Sequence, residues 1–85
     1  MILLNQAKEK ESYIIEKLNV GTSLRNHFKK IGITEGIKIL IFKVDENKIQ
    51  FFVDGKSCTI DKYTSSLIEL NQHIKNSKKS LDYNL

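Results

Sequence analysis

The stretch SLRNHFKKIGITEG (Ser23–Gly36) constrains the fold more than any other part of the chain. Leu24, Phe28 and Ile31 recur at helical spacing and make one apolar stripe. Thr22 or Ser23 offers a side-chain oxygen to cap the helix start. Gly32 stands where the helix has to stop, and it takes the left-handed conformation without a Cβ clash. Ile33 then falls two places beyond the end and Phe28 on the last turn, the pair that touch when a helix closes this way. Lys29 and Lys30 in the last turn complement the helix dipole. These signals predict a helix of about ten residues ending at Ile31. Directly after it, TEGI (Thr34–Ile37) suits a type II turn with Glu35 second and Gly36 at the position of positive φ. A short helix that stops on a glycine and turns at once into an apolar strand is a connector and plug, not a member of a helical bundle.

The remaining segments read as strands. SYIIEKL (Ser12–Leu18) carries β-branched Ile14 and Ile15, and the Asn19–Thr22 stretch after it reads as a loop. IKILIFKV (Ile37–Val44) is so continuously apolar that burial on both faces is expected for part of its length. Asp45–Lys48 is a hairpin loop. Ile49, Phe51 and Val53 alternate along the next strand and share one face. Asp54-Gly55 predicts a type I′ hairpin turn. Lys56–Ile60 returns with Cys58 and Ile60 on one face. Asp61–Ser66 is a polar connection or one tight helical turn, and Leu67–Leu70 is a short last strand. Residues 72–85 show no apolar stripe and are expected to form a polar, mobile tail that adds little to folding. One small helix cannot cover a flat sheet of five strands. The expected fold is therefore mainly β with one short helix: a small SH3-like barrel of about five strands over residues 1–71.

Several function classes are excluded or weakened by composition. At 85 residues the chain allows one domain with a small core. No apolar run reaches the roughly 18–20 residues that span a bilayer, and no signal peptide is read at the start. The single cysteine, Cys58, allows no internal disulfide and fits a cytoplasmic setting. Of the net charge of +4, residues 1–71 contribute +2 and residues 72–85 the other +2, so the basic footprint is weak.

The order and spacing of these parts resemble the FeoA family. The resemblance runs from about Leu4 to Leu70 and rests on Leu24, Arg25, Phe28, Ile31, Gly32, Ile33, Gly36 and Ile39, followed by the glycine-turn hairpin at Asp54 and Gly55. Members are small SH3-like barrels that accompany the bacterial ferrous-iron transporter FeoB, and the same domain ends some metal-dependent repressors. The resemblance implies a non-enzymatic accessory protein of ferrous iron uptake. It implies a cytoplasmic location, binding to the cytosolic part of the transporter, and contact with the membrane only through that partner. No helix-turn-helix precedes the domain here, so the free-standing version is expected. Two positions depart from the family. Glu35 stands where Pro is common, and Lys10 and Glu11 stand where a glycine precedes the first strand, which predicts a looser turn.

The residues themselves offer little chemistry. His27, Cys58 and His73 fall at no recognised ligand spacing, so no metal and no cofactor is expected. His27 reads as a half-buried boundary residue and Cys58 as a small core hydrophobe. No nucleophile with a neighbouring base and no phosphate loop is present. On a helical wheel Arg25, Asn26, Lys29 and Lys30 face away from the stripe, and they are the candidate partner-binding surface. The alternative is a small basic nucleic-acid-binding barrel, with Arg25, Lys29, Lys30 and Lys38 on phosphates and Tyr13, Phe52 and Tyr63 stacking on bases. Interspersed acids argue against stable nucleic-acid binding. Phe52 points away from Ile49, Phe51 and Val53, and burial under the helix or tail is its expected place.

Overall fold

The computed structural model describes residues 2–71. Residues 72–85, expected to form the tail, lie outside the described residues. Six strands, two short α-helices and one 3-10 turn follow in the order β1 (Ile2–Leu3), the 3-10 turn (Leu4–Gln6), β2 (Ser12–Leu18), α1 (Thr22–Lys30), β3 (Lys38–Val44), β4 (Lys48–Val53), β5 (Lys56–Asp61), α2 (Lys62–Ser65) and β6 (Ile68–Asn71). All six strands form one antiparallel sheet in the order β1-β6-β2-β3-β4-β5, a small SH3-like barrel. The strand count exceeds the expectation by one. The addition is β1, only two residues long, where Ile2 and Leu3 pair with Leu70 and Glu69. Two residues carry no periodicity, so nothing in the sequence marks them as a strand.

Two bulges curl the sheet. On β2, Tyr13 and Ile15 are buried, then the register shifts between Ile15 and Lys17, and Leu18 is the next buried residue. On β3, Ile39 and Ile41 are buried, the register shifts between Ile41 and Lys43, and the extra residue is Phe42. An extra residue raises the local twist and bends the strand, which brings the two ends of the sheet towards closure. The inner faces of β2–β6 together with Leu4, Phe28 and Ile33 form one core. Each large side chain buried there contributes roughly 1.5–3 kcal/mol.

Helix α1 ends as the sequence predicts. Ile33 N–H donates to Phe28 O at 2.8 Å and Gly32 N–H to Lys29 O at 3.2 Å, with Gly32 at φ +91°. Gly36 has φ +95° and Ile37 N–H reaches Thr34 O at 3.3 Å, the type II turn. Asp54 and Gly55 both have positive φ, 54° and 78°, as a type I′ turn needs. The helix start differs from expectation. Gly21, in extended conformation, is the cap residue, and no side chain caps it. Thr22 is already helical, because Arg25 N–H bonds Gly21 O at 2.9 Å. Ile31 is also displaced from its expected place. It is 37% exposed, because the chain leaves the helix there, and Ile33 fills the core instead.

The two-sided burial expected of β3 does not occur. The strand alternates, with Ile39 and Ile41 inside and Leu40 and Phe42 outside at 41% and 48% exposure. The curled sheet gives this strand one core face, and no described element covers the other. Asp61–Ser66 forms the helical turn α2, capped by Asp61, whose carboxylate accepts from Thr64 N at 3.0 Å and Thr64 Oγ1 at 2.7 Å.

Candidate functional site

The site built around α1 begins with the loop it leaves. Arg25 donates from Nη2 to Leu18 O at 2.6 Å, and Glu35 Oε2 accepts from Leu18 N at 3.0 Å. Arg25 and Glu35 form an ion pair at 3.6 Å. The Leu18 N–H, and beyond it the guanidinium, hold the Glu35 carboxyl below its usual range. Arg25 therefore joins the helix to the end of β2, rather than standing free among the four residues expected to bind a partner. Asn26, Lys29 and Lys30 are exposed on α1, and neither lysine has an ion pair among the described residues. The structural residues other than Ile31 keep their places: Phe28 and Ile33 are buried, Leu24 is half-buried, and Gly32, Gly36, Asp54 and Gly55 make the turns described above.

Beside α1 a groove of about 340 Å³ runs to the edge of β5. Phe28, Ile33 and Ile60 give it an apolar floor, and His27, Lys30 and Lys56 stand on its walls with no carboxylate among the lining residues. His27 is exposed rather than half-buried, since it lies on the solvent side of the Leu24–Phe28 stripe. Cys58 lies half-buried against the core, and burial pushes its thiol up. Among the described residues no three His, Cys, Asp or Glu side chains converge to hold a metal. No helix among them is long and apolar enough to cross a membrane.

A second surface was not legible in the sequence. Leu40 and Phe52 pair across β3 and β4, and the rings of Phe42 and Phe52 lie 5.1 Å apart. Phe52 is half-buried against Phe42, not under α1. An outward Phe in a continuous apolar run gives no signal of its own, because the run does not say which of its two faces the core covers. The stacking set of the nucleic-acid alternative is dispersed. Tyr13 is fully buried, its hydroxyl accepting from Lys8 N at 3.0 Å and donating to Glu11 Oε1 at 3.3 Å, while Tyr63 is 75% exposed.

The turn before β2 is not loose. Lys10 takes φ 70°, the conformation a glycine would take, and its N–H donates to Ile41 O at 2.8 Å. Ile41 N–H in turn donates to Glu11 O at 3.0 Å.

No family model matches the chain, and no curated protein matches it in sequence. Solved structures do. An iron uptake regulatory protein (FeoA) shares 18% identity over 82% of this chain and 95% of its own, with a TM-score of 0.76. A FeoA-like protein from Clostridium acetobutylicum shares 20% identity over 84% of this chain and 85% of its own, with a TM-score of 0.71. ScaR, solved with bound Zn²⁺, shares 22% identity with a TM-score of 0.76; 85% of this chain matches, but it spans only 37% of ScaR. The chain has the FeoA-like fold, shared with free-standing FeoA proteins and with part of a larger zinc-bound protein.

Proposed function

We propose that this chain is a cytoplasmic, non-enzymatic accessory protein of ferrous iron uptake that docks on the cytosolic part of a FeoB-type transporter. The observation that carries the reading is the near-complete correspondence with a FeoA chain, 95% of whose length is matched. Fold alone does not assign function, so the docking surface has to come from this chain's own residues. The surface is the outward side of α1. Arg25 fixes that helix to β2 through Leu18 and Glu35, which leaves Asn26, Lys29 and Lys30 on a rigid support. A pre-organised face loses little entropy on association, and exposed lysines on it speed and orient encounter with an acidic partner. Deleting the gene should lower ferrous iron uptake in the parent cell. Wild-type chain should restore it, and Lys29→Glu with Lys30→Glu should not. Uptake unchanged by the deletion would overturn the reading.

A further inference from the structure

The two ends of the sheet are treated differently. At one end β1 is two residues long, too short to offer a useful edge. At the other, β5 is six residues long, and its register with β4 runs from Lys56 to Asp61 without a shift. Edge strands are normally blunted by shortness, bulges, proline or charge. The bulges of this sheet lie on β2 and β3, none lies on β5, and the chain has no proline. Lys56 is the one charged residue before Asp61, which is occupied in capping α2.

The hairpin fixes which backbone groups are free. In a two-residue hairpin the residues flanking the turn, here Val53 and Lys56, form a hydrogen-bonded pair, and such pairs alternate along the ladder. Lys56, Cys58 and Ile60 thus turn their N–H and C=O groups to β4. Ser57 and Thr59 turn theirs away from it, where no described strand lies. These same residues line the groove beside α1.

We propose that this groove takes an extended, acidic polypeptide segment, which adds to the sheet as a strand along β5. The N–H and C=O groups of Ser57 and Thr59, unpaired among the described residues, call for a partner in strand conformation. The apolar floor takes alternate side chains of that strand. Lys30 and Lys56, with no carboxylate among the lining residues, favour acidic side chains at its rim. The inference rests on the docking reading only for which protein supplies the segment, because the far wall of the groove is α1.

The test uses the full chain and an eight-residue peptide of alternating Val and Glu, with its Val and Lys counterpart. A third peptide repeats the acidic sequence with every second amide N-methylated, so that one edge cannot donate. The acidic peptide should shift the amide resonances of Ser57 and Thr59. N-methylation on the donating edge should weaken binding by about tenfold or more, the loss of one or two hydrogen bonds. Thr59→Pro removes one outward N–H at an edge position that tolerates proline, and it should weaken the acidic peptide while leaving the melting temperature near its original value. Equal binding of acidic and basic peptides, shifts confined to other surfaces, or no binding of the acidic peptide would each overturn the proposal. Transporter association that survives Thr59→Pro would overturn the strand proposal and leave the docking reading standing. Loss of transporter association for the unaltered chain would instead remove the docking reading.

Discussion

Arg25 and Glu35 hold the same residue from opposite sides: the guanidinium donates to the carbonyl of Leu18 and the carboxylate accepts from its N–H. The two charges also pair with each other at 3.6 Å. The contact joins α1, the end of β2 and the turn before β3. It stands where the resembling family commonly stiffens the turn with proline, so a side-chain clamp replaces a ring constraint.

Acid should weaken this clamp. The carboxyls of Glu35, Asp45 and Asp61 are all held below their usual range, chiefly by the backbone N–H groups of Leu18, Asn47 and Thr64 respectively. A lowered folded-state value means that the stabilisation is present above the ordinary carboxylate range of about 4 and is lost as pH falls through the lowered values. Melting temperature measured from pH 7 to pH 2 should therefore fall below about pH 4. Glu35→Gln should start lower at pH 7 and lose less on acidification. A variant with the same acid profile as the parent would show that Glu35 does not contribute.

Gly32→Val should destabilise the fold by more than about 1 kcal/mol, since a β-branched residue is strained at positive φ. A Cβ at Gly32 would meet only Val53 Cγ1 at 3.6 Å, an ordinary contact, so the cost comes from the backbone and not from crowding. Chemical denaturation measures it, and an unchanged midpoint would contradict the left-handed helix stop.

Lys10→Gly tests the opposite case. Relief of the left-handed conformation returns roughly 1–2 kcal/mol, and the added freedom of the unfolded chain takes back about 0.5–1. The variant should be between unchanged and about 1.5 kcal/mol more stable. A clear loss would mean that the lysine side chain stabilises this turn.

Neighbouring residues of β3 should respond very differently. Ile41 is fully buried, and Ile41→Ala should cost about 2–5 kcal/mol. Leu40→Thr, at a position 41% exposed, should stay within about 0.5 kcal/mol of the parent. Similar losses at both positions would restore the two-sided burial that the sequence suggested.

What was legible was local. The glycine stop at Gly32, the turn at Gly36 and the Asp54-Gly55 hairpin each follow from one residue's permitted φ, so neighbours in sequence suffice to place them. The rest depended on distant partners. IKILIFKV reads as buried on both faces because hydrophobicity alone does not say which face is covered; the curl of the sheet around one core decides that. Arg25 reads only as part of a candidate partner-binding surface because Glu35 and Leu18 come to it only through the fold. The edge of β5 was invisible for the same reason, since an edge is defined by the strand that is not beside it.

The central claim is most directly tested by titrating the full chain against the cytosolic domain of the FeoB-type transporter from the same organism, at about 150 mM salt, a level at which weak non-specific nucleic-acid contacts fade. An oligonucleotide titration runs in parallel. The account predicts measurable association with the transporter domain, weakened by Lys29→Glu with Lys30→Glu mainly through slower association, and negligible association with the oligonucleotide. Tight oligonucleotide binding with a steep salt dependence, and no association with the transporter domain, would contradict it.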